Sequence, residues 1–189
     1  MSSTTRYTHT AMTLHWLVAG LILINVGLAL SVDALPDAWV RPVIDTHKSI
    51  GITVLGLFVL RLLWRLGHRP PPLPAGFAGW EKTSSHIVHI CLYGLMLALP
   101  VSGWLHDSAW KAAADHPLVW FHMLPVPRFG YYMNMDPVQK EAMHKLLGAI
   151  HASFGFLLYG LLFLHVGGAL KHEWIDKESV LRRMWPWHK

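Results

Sequence analysis

A chain of 189 residues has the length of one soluble domain, yet 53% of its residues are hydrophobic, only 14% are charged, and its mean hydropathy is +0.34. That balance excludes an ordinary soluble globule and a disordered chain, and points to a small integral membrane protein. The single cysteine, Cys91, excludes a disulfide framework, a thiolate metal cluster and a C-x-x-C-H haem attachment, and the net charge of +5 resides mainly at helix ends rather than in a nucleic-acid-binding stripe.

Crossing the hydrocarbon core as a helix takes about 20 mainly apolar residues. Four segments meet that length: residues 13–32, 47–66, 84–104 and 144–170. The first resembles a signal peptide in position, but its apolar run exceeds the 7–15 residues or so of a signal core and contains His15 and Asn25, so it is read as a retained span. "RPPPLPAG" between spans two and three is a stiff linker that cannot continue a helix. Residues 105–143, rich in aromatic side chains, are expected to lie as a lid on the outer membrane surface, and residues 171–189 form a tail. The fold class is therefore all-α: a single four-helix membrane domain, residues 1–189, with no internal repeat.

Four spans place both termini on one side. That side carries ten Lys and Arg residues and the opposite side six, which predicts a multi-pass protein with cytoplasmic termini. Trp16, Trp64, Trp80, Trp104 and Trp174 fall near span ends as an interfacial belt in contact with lipid headgroups.

Fourteen histidines are many for this length, and their positions are more informative than their number. His9, His68, His106, His116, His122 and His188 fall in loops or tails on this reading. Ionisable groups within spans are costly and face a bundle interior with a partner, which singles out His15, His47, His89, His151 and His165. His151 and His165 are fourteen residues apart, about 40° short of four whole turns and about 21 Å along the axis. They share one stripe at two depths. Up-and-down topology sets His15 level with His165 on the inner side and His47 level with His151 on the outer side. Two histidines at one depth on facing helices suit a b-type haem with two axial imidazoles. Gly51, Gly148, Gly155, Gly167 and Gly168 lie near these positions and leave room for a macrocycle, although small residues also serve ordinary helix packing. His89 competes for the inner site, with a quinone-contacting role as its alternative, and His144 competes for the outer one. Arg61 and Arg65, one turn apart, suit haem propionates, a quinone carbonyl or lipid headgroups.

"TLHW" opening the first span, "DTHKSIGI" opening the second, "HIVHICLYGLMLALPVSGW" in the third, and "HKLLGAIHASFGFLLYGLLFLHVGGALKHEW" closing the bundle resemble the bacterial cytochrome b561 family, which includes the membrane superoxide oxidase. The resemblance runs from about Thr13 to Met184 and is weakest in the long outer connection. It implies a four-helix inner-membrane bundle holding two non-covalent haems b, with axial histidines at His15, His47, His151 and His165, and exchange of electrons with ubiquinone. One chemistry of the family is oxidation of superoxide to dioxygen with reduction of ubiquinone to ubiquinol. On that reading Lys48, Lys140, Lys145 and Arg128 are the outer charges available to attract an anion. Other members relay electrons for a dehydrogenase or hydrogenase partner, and a homo-oligomer is compatible with either role. A histidine-lined transition-metal transporter is a third reading, disfavoured by the lack of carboxylates and further thiols within the spans.

Overall fold

The structure, a computed structural model, describes residues 6–74 and 76–185. Four long helices form the bundle: α1 (His9–Ser31), α2 (Asp37–Gly67), α3 (Gly79–Ser108) and, after a short α4 (Gly130–Met133), α5 (Pro137–Trp174). A last short helix, α6 (Val180–Met184), lies in the tail. The four long helices are each long and apolar enough to cross a membrane, with windows of mean hydropathy between 1.7 and 2.1. Only 6–17% of each window is buried, so most of the apolar surface, including Leu23, Phe156 and Phe163, faces outward. In water this surface would drive association; in a bilayer it meets its own solvent.

Local signals explain where the helices begin. Thr8 caps α1 by accepting a hydrogen bond from the Ala11 amide, and Asp136 caps α5 by accepting from the Val138 and Gln139 amides, with Pro137 in the first helical position. The α3 start is closed by Glu81, whose carboxylate accepts from the Ala78 amide. α2 begins at Asp37, ten residues before the apolar window at residue 47. The polar extension is helical because an acid occupies its first turn and Arg41 pairs with Asp45 one turn on, at 2.9 Å. His47 therefore lies inside a helix rather than at its start. Likewise, α5 has 38 residues, or about 57 Å, and projects beyond a hydrocarbon core of about 30 Å.

α3 packs most extensively on α5, α1 packs on α2, and α2–α3 contact joins the two pairs. Two small apolar clusters fill the interior. Val18, Ile50 and Val54 form one between α1 and α2, and Leu95, Leu158 and Leu161 form the other between α3 and α5. Ile22 packs against both and links them. The termini meet at one end, where Trp16 donates to the Met184 carbonyl and Arg6 to that of Trp185. There Lys171 bridges Glu81 and Asp176, while His172 stacks on Phe77.

At the opposite end the long connection folds onto the bundle. Val119–Trp120 (β1) and Leu124–Pro125 (β2) form a short antiparallel hairpin whose tip places Phe121 and His122 at φ of 45° and 59°. Non-glycine residues rarely occupy that region, and external contacts fix the tip here. Trp120 donates to Thr53 and the Phe121 amide to Ser49, both on α2. Trp104 donates to the Pro127 carbonyl, and Asp107, 5% exposed, receives Arg128 at 2.7 Å and Lys48 at 2.6 Å. The expected lid is thus fastened to α2 and α3 through a buried carboxylate with two cationic partners.

Asp107→Ala would leave the buried Arg128 without an acidic partner and Lys48 with Asp45 alone, and is expected to lower stability by about 3–5 kcal/mol; thermal unfolding of the purified protein in detergent reads this directly. Lys145→Ala, at an exposed pair with Glu141, should leave the melting temperature unchanged. At the terminal end, the Lys171 ammonium, with help from His172, holds the Asp176 carboxyl below its ordinary value of 3.8. The ionised carboxylate is the bound form, so this clasp is complete above pH 3.8 and is lost as pH falls below that value. Hydrogen exchange in residues 176–184 should accordingly rise only under those acid conditions.

Candidate functional site

The bundle contains three groups of paired imidazoles at separate levels. At the level of Asn25, His47 on α2 and His151 on α5 have ring centres 6.2 Å apart with planes at 90°. Their Nδ1 atoms are both committed to backbone: that of His47 donates to the Asn25 carbonyl at 3.1 Å, and that of His151 to the Leu99 carbonyl at 3.1 Å. The Ser102 hydroxyl stands 3.0 Å from His151 Nδ1 and also donates to Leu99. A carbonyl can only accept, so each ring carries its proton on Nδ1 and presents Nε2 as the free lone pair. Gly103 permits this approach, since a Cβ there would come within 3.0 Å of the His151 ring.

Nearer the termini, His15 on α1 and His165 on α5 have ring centres 6.1 Å apart with planes at 69°. His89 on α3 also faces His165, at 5.1 Å. Its Nδ1 donates to the Ser85 carbonyl at 2.6 Å. Among the described residues, no hydrogen bond reaches the ring of His15 or His165. The Arg61 guanidinium, which donates to the Tyr93 hydroxyl at 3.1 Å, acts electrostatically on His15, His89 and His165 together. The stripe expected along α5 is present, with one histidine of that helix at each of the two levels.

The third group alters two readings. His106 belongs to α3, which continues to Ser108, rather than to a loop. Its ring stacks on His144 of α5 at 4.0 Å and 12°, and each Nδ1 donates to the other residue's carbonyl, at 2.9 and 3.0 Å. Gly148 makes the stack possible, because a Cβ there would lie 2.9 Å from the His106 ring. His144 is thereby engaged away from His47. Among the glycines thought to clear space, Gly167 and Gly168 have nothing within 4 Å of a would-be Cβ, Gly51 borders Asn25 at 3.9 Å, and Gly155 borders Tyr159 at 3.7 Å.

The outer charges are also less available than their number suggests. Lys48 and Arg128 are both neutralised in part by Asp107, and Arg41 lies over the Trp110 ring at 4.8 Å. Lys140 is 9% exposed, whereas Lys145 stands in solvent beside Glu141. Sequence reasoning passed over Asp107, Ser102, Ser49 and Gly103. The available signal was the string "SGWLHDS" at the end of the third span, where an acid, two hydroxyls and a histidine follow an apolar run.

Comparison with known proteins extends this picture. The chain is 30% identical over 183 residues to cytochrome b561 homolog 2 of Escherichia coli (strain K12), covering 95% of this chain and 90% of that protein. It is 27% identical over 145 residues to cytochrome b561 homolog 1 of the same organism, covering 77% of this chain and 76% of the relative. It is 26% identical over 188 residues to the probable superoxide oxidase CybB of Yersinia pestis, with 96% of each chain covered. The profile of prokaryotic cytochrome b561 matches residues 6–187. With four membrane-crossing helices and the match spanning nearly its whole length, the chain belongs to the prokaryotic cytochrome b561 family of bacterial membrane electron-transfer proteins.

Proposed function

We propose that this protein is a superoxide:ubiquinone oxidoreductase that holds two haems b, one between His47 and His151 and one between His15 and His165. The observation that carries the reading is the spacing of the rings. Two metal–imidazole bonds of about 2 Å, with about 1 Å more from each nitrogen to its ring centre, require ring centres about 6 Å apart. The two pairs stand at 6.2 and 6.1 Å. His89–His165 at 5.1 Å is short of that value, and the parallel His106–His144 stack at 4.0 Å is shorter still. Similarity along 96% of the chain to a probable superoxide oxidase supports the choice of reaction.

Haem supplies one-electron chemistry through its iron. In the overall reaction, two superoxide anions become two dioxygen molecules, while one ubiquinone takes up the two electrons and two protons to become ubiquinol. The chain's own residues supply position and bias. Leu99 and Asn25 carbonyls fix the outer rings with Nε2 inward and raise their basicity, which favours the oxidised metal. Arg61 places positive charge beside the inner group, which favours the reduced metal. Both effects direct electrons from the His47 level toward the His15 level. With the termini cytoplasmic, as the Lys and Arg distribution indicates, the His47 end faces the outside, where solvent-exposed Lys145 and the one positive charge left on the Lys48–Asp107–Arg128 group favour the approach of an anion. His89 flanks the inner pair as the quinone-contacting imidazole, and Arg61 serves the inner haem's carboxylates.

His15→Ala and His165→Ala should each lower bound haem by about half while sparing the outer site, and His47→Ala and His151→Ala should do the converse. Haem-to-protein ratios and redox titration of the purified variants distinguish the two sites. If His89→Ala, and not His15→Ala, removes the inner haem, the inner pairing is wrong.

The reaction itself is tested by stopped-flow mixing of oxidised protein with superoxide, followed in the haem absorption bands with ubiquinone present or absent. Rapid reduction, with reoxidation only when quinone is supplied, is the expected result. A two-haem protein that superoxide leaves oxidised would instead be an electron-relay subunit, and copurification would then identify its dehydrogenase or hydrogenase partner.

A further inference from the structure

Beside the terminal end of the bundle is a cavity of about 70 Å³, and Arg61 is the one residue of its lining that the proposed electron-transfer chemistry uses. Its lining includes Arg6, Arg61, Arg65, Arg69 and His68, and no carboxylate. The cations come from three directions in the chain: the segment preceding α1, the last turns of α2, and the linker that follows. The carboxylates at this end lie outside the cavity wall. Glu81 and Asp176 both hold Lys171, Glu173 holds Arg182, and Glu178 lies beside Gly76. Among the described residues, Arg61, Arg65 and Arg69 have no acidic partner. Like charges gathered without a counter-charge repel one another, so the arrangement favours a bound anion.

The walls are structured rather than loose. Trp64 donates to the Thr8 hydroxyl at 2.9 Å, and His68 stacks on Trp64 at 3.8 Å and 5° while bonding the Trp64 carbonyl. That rigid aromatic plate forms one side. Tyr93 forms another: its ring lies 5.7 Å from the Arg61 guanidinium and 5.6 Å from that of Arg65. Arg61 is further tied to the Tyr93 hydroxyl, but Arg65 and Arg69 retain their planar donor forks for a ligand. Several guanidinium groups around a small cavity match the many acceptor oxygens of a phosphate, which they can bind in pairs. Trp64 and Trp16 at this end mark the depth of the headgroups, where phosphodiesters are the abundant anions.

We infer that this cavity is a phosphate-binding site, bounded by Arg6, Arg65, Arg69 and the Trp64–His68 plate, and that the phosphodiester of an acidic phospholipid is its source. An ordered lipid there joins the segment before α1 to the end of α2 and the start of the linker. It neutralises the arginines without entering the histidine levels.

The test uses the haem-loaded protein in detergent, stripped of lipid and analysed by native mass spectrometry with added phosphatidylglycerol, phosphatidylcholine or inorganic phosphate. One equivalent of phosphatidylglycerol should be retained in preference to phosphatidylcholine. Arg65→Gln/Arg69→Gln should weaken that retention by about tenfold, with the haem absorption spectrum unchanged. Arg65→Lys/Arg69→Lys, which keeps charge but loses the paired donors, should fall between the two and guards against a folding defect. Equal retention of both lipids, or equal binding by wild type and the Gln variant, would overturn the site. Binding of inorganic phosphate without any lipid preference would overturn the lipid source. A shifted haem spectrum in the Gln variant would reassign these arginines to the haem.

Discussion

In hydrocarbon a polar group finds its partner within the protein, and that constraint governs how most of the span histidines, though not His15 and His165, are held. A loose imidazole in a span would be expensive; one whose Nδ1 proton is given to a helix carbonyl is half satisfied and fully oriented. His47, His151 and His89 are fixed in this way by the Asn25, Leu99 and Ser85 carbonyls. The consequence reaches beyond stability. A ring anchored through Nδ1 presents Nε2 in one direction only, so the same bond that makes burial tolerable also fixes where the free nitrogen points. The His106–His144 stack uses its Nδ1 atoms similarly, but turns the rings face to face at 4.0 Å and so makes a helix clamp instead of a metal gap.

α5 is the rigid element on which both histidine levels depend. It supplies one ring to each, while α1 and α2 supply the partners. The separation between levels is consequently set by the rise of one continuous helix and does not vary with packing between helices. Chain topology alone cannot give that precision, because α1 and α2 contact α5 less extensively than α3 does. α3 acts as the spacer. It contributes Leu99, Ser102 and Gly103 around His151 at one level and His89 beside His165 at the other.

The two levels were legible in the sequence because they follow from helix periodicity and up-and-down topology, both of which act locally or by simple counting. The four spans were legible for the same reason, since apolar length is a property of a continuous segment. What escaped depends on groups distant in sequence. Asp107 drew no notice in the sequence, because only the return of residue 128 from the hairpin makes it the anchor of the connection. His106 reads as a loop residue because hydropathy falls before the helix ends; the backbone continues to Ser108 with side chains bonded to backbone carbonyls, Ser108 to that of Trp104 and His106 to that of His144. The start of α2 was missed in the same manner, where the Arg41–Asp45 pair sustains a helix that hydropathy does not register.

The two ends of the bundle handle charge in opposite ways, and the difference bears on electron flow. At the end that carries the long connection, a buried acid gathers two cations, leaving a net charge of one on a group covered by the hairpin. At the terminal end, arginines gather with no acid among them, and Arg61 bears on every histidine of the nearer level. Positive charge in a poorly screened setting lowers the energy of an added electron. On the proposed two-haem route, the level on which Arg61 acts is therefore the better place for an electron to arrive, and the one beside a nearly balanced network the better place for it to leave. Filling the arginine cavity with an anion would reduce that difference, since Arg61, tied to the Tyr93 hydroxyl, also lines that cavity. The difference between the two ends thus rests most on Arg61, the arginine of the cavity that acts on every histidine of the nearer level.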